Sequence, residues 1–233
     1  YMCIEEQVKR LVIYAQIHLG LDEEDAIYVT NLLFRELDIT EPFSGDVDQE
    51  YIRRMTVPDE FTEWFNSYFV NECKMSERDA ALRTCFLMGT ISPRPSRVNE
   101  TFFKLHKANP KSATDYLYNL SIKNDYVQKT KVDRNIIWEA NYSDGPSLEI
   151  SINLSKPEKN NKDIAKLLTS AVSSSYPKCL LCHENLGFKG NEKKDPRETI
   201  RFIPLNLGNE KWYLQYSPYG YFDEHCILFY EKH

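Results

Sequence analysis

Asn135-Ile-Ile-Trp-Glu-Ala-Asn-Tyr-Ser-Asp-Gly-Pro-Ser-Leu-Glu-Ile-Ser-Ile-Asn-Leu154 is the stretch where the chain changes its period. Ile136, Trp138 and Ala140, then Leu148, Ile150, Ile152 and Leu154, stand at every second position, the repeat of half-buried strands. Tyr142-Ser-Asp-Gly-Pro146 between them is rich in turn formers, so a hairpin is expected there. Further on, Thr199–Pro204, Trp212–Ser217 and His225–Tyr230 have strand character, and residues 160–172 have helical character.

Upstream the helical period rules. Val8, Leu11, Val12, Ala15 and Leu19 share one face, and Asp22 opens a second helix carrying Ile27, Leu32, Leu33 and Leu37. Residues 40–57, with Pro42, Gly45 and several acids, read as irregular. Pro58-Asp59-Glu60 starts a helix with Phe61, Trp64, Phe65, Tyr68 and Phe69 on its face. Ser76 with Asp79 resembles a capping box for a helix to about residue 89. Ile91-Ser-Pro-Arg-Pro-Ser96 interrupts, because proline removes a donor and restricts its predecessor. Ser96 and Ser112 are expected to cap two shorter helices. The order implies an α+β chain: a helical region over 1–130, then a mostly antiparallel sheet with one helix over 131–233.

Bulk properties exclude several classes. The 233 residues suffice for a proper core, and 42% hydrophobic with 27% charged residues is ordinary for a water-soluble globular protein. A net charge of −6 argues against a nucleic-acid partner, which needs a basic face. No apolar run reaches the length of a membrane span. Tyr1-Met-Cys-Ile-Glu-Glu6 lacks a signal-peptide pattern, and six scattered cysteines then suggest reduced thiols in the cytoplasm.

Lys178-Cys-Leu-Leu-Cys-His183 carries the densest chemistry. Two thiolates three positions apart can converge on one Zn²⁺, which needs four ligands. Asn185, Gly187 and Gly190 follow closely, favouring a metal knuckle in a turn over a redox dithiol opening a helix. His233 is the best further ligand candidate. His183, adjacent to Cys182, is expected to point to solvent. Asp46-Val-Asp48 has the spacing of a glycosyltransferase metal clasp, but no strand precedes it and the motif is short.

The segment Trp212-Tyr-Leu-Gln-Tyr-Ser-Pro-Tyr-Gly-Tyr-Phe-Asp-Glu-His-Cys-Ile-Leu-Phe-Tyr-Glu-Lys-His233 resembles the histidine-triad superfamily in its order of strand, Pro-containing turn, His, apolar strand and final His. Together with Leu154-Ser-Lys-Pro-Glu-Lys159, Ser175-Tyr-Pro-Lys-Cys-Leu-Leu-Cys-His-Glu-Asn185, Arg201-Phe-Ile-Pro204, Ser92-Pro-Arg-Pro95 and Ser112-Ala-Thr-Asp-Tyr116, it resembles the second, bacterial family of UDP-glucose–hexose-1-phosphate uridylyltransferases. The resemblance implies transfer of UMP between a UDP-sugar and a hexose 1-phosphate through a uridylyl-histidine. It implies zinc on Cys179, Cys182 and His233, with a structural Asn185 closing the knuckle. The nucleophile belongs to a Ser-His-Asp-His motif that this chain lacks. The chain is therefore expected to be the N-terminal portion of such an enzyme and inactive by itself, with an exposed sheet edge that recruits a neighbouring copy, as a homo-oligomer, or the remaining half.

Substrate contacts are less defined. Where the related first family has Asn-Asp after the strand, this chain has Ser217-Pro218, leaving Ser217, Tyr216 and Tyr219 as uridine candidates; the tyrosines suit core packing equally. Lys156 reads either as a phosphate-binding cation or as an exposed loop lysine. Arg94 and Arg97 are weaker phosphate candidates. His225 is expected to bond backbone at a strand edge, and His18 to suit the negative end of its helix, with His106 similar. A non-catalytic, zinc-dependent protein-binding module is the alternative of a different class.

Overall fold

The computed structural model describes residues 2–141, 143–156, 176, 177 and 179–232. The helix expected over 160–172 and His233 lie outside these residues. The α+β class holds: eight helices precede five strands among the described residues.

Helix α1 (Ile4–His18) buries Val8, Leu11, Val12 and Ala15 and opens with Glu5 and Glu6, which suit its positive end. Asp22 precedes α2 (Glu23–Glu36). Within the stretch expected to be irregular lies a short α3 (Gln49–Arg54), held by Asp48, whose carboxylate accepts the Tyr51 N–H at 2.9 Å. Asp48 is thus a helix cap, not half of a metal clasp. Helix α4 (Asp59–Asn71) buries Phe61, Phe65 and Phe69. Ser76 caps α5 (Glu77–Thr90), accepting from the Asp79 N–H at 3.1 Å.

The next two starts differ from expectation. Helix α6 (Pro95–Ala108) begins after Arg94 with no side-chain cap, and α7 (Pro110–Lys123) is capped by Asn109. Ser96 and Ser112 lie inside these helices. The reason is proline: its fixed φ suits the first helical position, moving the starts two and three residues upstream. A single turn, α8 (Lys129–Val132), ends the helical part.

Strands β1 (Ile136–Ala140) and β2 (Leu148–Ile152) form the expected hairpin, with Trp138 opposite Ile150. They are not half-buried. Ile136, Ile137, Trp138, Leu148, Ile150 and Ile152 are all exposed, because no described layer lies against either face. The second sheet has the order β3-β4-β5, from β3 (Ile203–Leu207), β4 (Glu210–Tyr216) and β5 (Cys226–Tyr230), all antiparallel. Strand β3 starts later than expected, since Thr199–Phe202 form a buried irregular lead-in. Gly208 at φ 65° turns β3 into β4; its positive φ at the first central position is what a two-residue II′ turn requires.

This sheet positions everything that follows. Tyr216 packs against Tyr118 of α7 at 4.9 Å, so that face lies on the helices. The opposite face carries Tyr213, which touches Phe202 and Phe229, and the buried Gln215. One continuous apolar core runs from Val8 and Tyr14 through Phe65, Leu87 and Leu117 to Ile200, Ile203 and Tyr216. No described helix is long and apolar enough to cross a membrane.

Candidate functional site

The cysteine knuckle lies against the Tyr213 face of the sheet. Asn185, 1% exposed, donates from Nδ2 to the Cys179 carbonyl at 2.8 Å, and its own N–H donates to the Cys182 carbonyl at 3.0 Å. Lys194 Nζ donates to the Asn185 Oδ1 at 2.8 Å and also to the Pro177 carbonyl, pinning the knuckle from outside. Cys182 is buried and Cys179 exposed. Burial, then the neighbouring Cys179, pushes the Cys182 thiol up. Two adjacent sulfurs on a backbone turn fit half of a tetrahedral zinc set. Among the described residues no group of three or more His, Cys, Asp or Glu could complete it.

His183 is not solvent-facing: its ring stacks on Tyr213 with centroids 5.1 Å apart. Among the described residues the His225 ring bonds no backbone group, and its buried Nδ1 has no hydrogen-bond partner. His18 gives up its helix end, with Nε2 2.8 Å from the Ile52 carbonyl, and burial lowers its pKa. The His106 ring stacks on Phe102.

The substrate candidates gather at the end of β4. Ser217, buried, accepts the Tyr219 N–H on Oγ at 3.3 Å. The Tyr219 carbonyl accepts from Asn153 Nδ2 at 2.9 Å and from the Ser155 hydroxyl, while Asn135 Nδ2 reaches the Gly220 carbonyl at 3.3 Å. These bonds lash the turn after β4 to the base of the β1–β2 hairpin and set the exposed Lys156 beside Tyr219. Tyr216 is set apart from them: it is 4% exposed, its hydroxyl donates to the Thr114 carbonyl at 3.1 Å, and burial raises its pKa to about 12. Its side chain belongs to the core. Arg97 pairs with Asp22 at 3.4 Å on the surface, and Arg94 is exposed at the start of α6.

Ser155, Leu180 and Tyr219 open onto one cleft of about 450 Å³ between α4, α5 and the loop 195–199. The cleft contains groups missed at the sequence level. Arg197 is 8% exposed; it reaches Gln215 Oε1 at 3.4 Å and lies over the Tyr126 ring at 5.8 Å, and among the described residues no carboxylate pairs with it. Arg78 forks onto the Asn191 carbonyl at 2.8 Å and Asp195 Oδ1 at 3.2 Å, fixing the loop that carries Arg197. Burial pushes the Asp125 carboxyl up to about 7, and burial lifts the Cys85 thiol to about 12, leaving it unreactive. A buried arginine with neutral partners, facing a polar cleft, suits an anionic ligand. In the sequence, Asp195-Pro-Arg197 shows Arg197 only as one more charged residue after a proline.

Comparison with known proteins agrees with these motifs. Residues 34–233 match the family model for the N-terminal domain of galactose-1-phosphate uridyl transferase. The galactose-1-phosphate uridylyltransferases of Clostridium acetobutylicum and Fusobacterium nucleatum are 39% and 38% identical to the chain, across 99% and 97% of it and 46% and 44% of their own lengths. That of Butyrivibrio fibrisolvens is 38% identical, across 99% of the chain and 58% of its own length. The chain spans about half the length of the curated relatives it matches. No solved structure matches it.

Proposed function

The chain belongs to the galactose-1-phosphate uridyl transferase family, matching its N-terminal domain, and on that premise we propose that it is the N-terminal portion of a nucleotidyltransferase exchanging UMP between UDP-glucose and galactose 1-phosphate. One observation carries the proposal: Ser155, Leu180 and Tyr219, from three separate family-like motifs, line a single cleft with the buried Arg197. In the reaction a histidine nitrogen attacks the α-phosphorus of UDP-glucose, the bond to the β-phosphate oxygen breaks, and glucose 1-phosphate leaves. The phosphate of galactose 1-phosphate then attacks the same phosphorus, breaking the P–N bond and releasing UDP-galactose. The histidine would come from the Ser-His-Asp-His segment, so this chain's part is to bind and orient.

Lys156 and Arg197 would neutralise phosphate charge, Tyr219 would contact the nucleotide, and Ser217 and Tyr216 would hold the turn that presents it. Cys179, Cys182 and His233 would hold zinc with a fourth ligand from the segment carrying the nucleophile. Bound there, zinc would be structural, tying the two halves together. The exposed hairpin would seat that remaining length or a neighbouring copy. The protein's setting would be the cytoplasm, where its cysteines would stay reduced.

The test uses the polypeptide extended through its downstream reading frame. On mixing with UDP-glucose it should release glucose 1-phosphate and carry a covalent uridylyl group, which galactose 1-phosphate then removes. Absence of both adduct and exchange would overturn the proposal. The present chain alone should give neither.

A further inference from the structure

Lys194 is half-buried, and its Nζ donates to two oxygens that flank the cysteine knuckle. One is the Pro177 carbonyl, two residues before Cys179; the other is Asn185 Oδ1 at 2.8 Å, three residues after Cys182. The ammonium also lies over the Phe188 ring at 5.0 Å and the Tyr176 ring at 6.0 Å, and those rings meet at 4.6 Å. Among the described residues no carboxylate pairs with it; Asp195, its neighbour in the chain, pairs with Arg78 at 3.2 Å instead. A cation held only by neutral oxygens and ring faces keeps its charge available to whatever the knuckle holds.

The backbone of Lys194 is fixed from the other side. Asn191 Oδ1 accepts the N–H groups of Lys193 and Lys194 at 2.9 and 2.8 Å, and Arg78 of α5 donates to the Asn191 and Lys194 carbonyls at 2.8 and 3.2 Å. Gly190, at φ 78°, lets this loop close on α5, since a Cβ there would lie 2.7 Å from Leu82 Cδ2 and 2.8 Å from the Pro196 nitrogen. Lys194 thus reaches from a loop tied to the helical core and staples one end of the knuckle to the other. Without the staple, the backbone around both sulfurs would have to be ordered as a metal binds, and that cost comes off the affinity. Charge acts in the same sense. Both thiols must lose protons to bind a metal, and a nearby cation favours the thiolates. Two thiolates on a divalent ion leave a neutral centre, so the ammonium is not repelled by it.

We infer that Lys194 is a positioning residue for a metal ion at Cys179 and Cys182, holding Pro177 and Asn185 so that both sulfurs face one ion before it arrives. The inference rests on the zinc reading given above. Titration of the purified chain with Co²⁺, followed by the thiolate-to-cobalt charge-transfer band and then by competition with Zn²⁺, tests it. The unmodified chain should show the band. Lys194→Met should weaken both metals by about tenfold or more, the usual scale for a group that orients metal ligands from behind. Lys194→Arg, which keeps the charge and the donors, should recover most of that loss. Lys189→Met, an exposed lysine of the same loop, should leave the affinity unchanged. If Lys194→Met fails to fold, Lys194→Gln takes its place, keeping a donor without the charge, and should bind metal more weakly than Lys194→Arg. Unchanged affinity in Lys194→Met, no recovery in Lys194→Arg, or an equal loss in Lys189→Met would overturn the inference while leaving the zinc reading intact. No charge-transfer band in the unmodified chain would overturn the zinc reading, and the inference with it.

Discussion

Asp125 sits at φ 69°, a left-handed conformation that Asp and Asn tolerate better than most residues. Burial pushes its carboxyl up to about 7, with Asp59 adding to the rise and a Gln128 hydrogen bond opposing it. The folded state therefore binds a proton that the unfolded chain, titrating at about 3.9, has released. Stability should fall as pH rises from about 4 to about 7, by at most about 1.4 kcal/mol per unit, and stay lost above that. Asp125→Asn keeps the backbone preference and removes the charge. Its melting temperature should exceed that of the unmodified chain at pH 8 and converge with it near pH 4; a constant gap would refute the buried titration. Asn185 makes the opposite case, a satisfied buried amide. Asn185→Ala strands the Cys179 carbonyl and should cost about 1–3 kcal/mol, seen as a melting point lower by several degrees with or without zinc.

At the scale of elements, much was legible. Helices α1, α2 and α4 and the two hairpin strands follow from apolar spacing, because each carries a 3.6- or 2-residue period, whereas α5 is legible from its Ser76–Asp79 cap. The errors lie where local chemistry competes. Ser96 and Ser112 look like caps for α6 and α7, whereas Pro95 and Pro110 at the first helical positions put Arg94 and Asn109 there. Asn109→Ala should then destabilise the chain by about 1 kcal/mol and Ser112→Ala by far less, as urea midpoints at unchanged m would report. Gly89 is a case where propensity misleads. Alanine is the better helix former by about 1 kcal/mol, but its Cβ would meet the Glu198 backbone oxygen at 2.8 Å, and that oxygen is fixed by Arg201. The clash should win, so Gly89→Ala lowers the urea midpoint. The site was only half legible for a related reason. Cys179 and Cys182 announce themselves by spacing, but Arg197 and Lys194 become distinctive only once folding sets them in place.

On the scale of the whole molecule, the two sheets differ sharply. The β3-β4-β5 sheet lies on α6 and α7 and joins the common core, whereas the β1–β2 hairpin leaves apolar side chains on both faces in water. An isolated two-stranded hairpin is marginal in water, and its free edges can pair with another chain. Trp138 and Ile150 lie directly opposite one another, 43% and 38% exposed, and form the natural centre of a contact. The net charge of −6 opposes association between copies. Added salt screens that repulsion while leaving apolar burial intact. Sedimentation velocity should therefore show self-association that grows with concentration and strengthens with salt, the reverse of a contact built on ion pairs. Trp138→Lys combined with Ile150→Glu, an opposite-charge cross-strand pair, should keep the chain monomeric at an unchanged melting temperature, since neither side chain is part of the core. A monodisperse unmodified chain at every concentration and salt level would rule out the hairpin as a self-association surface.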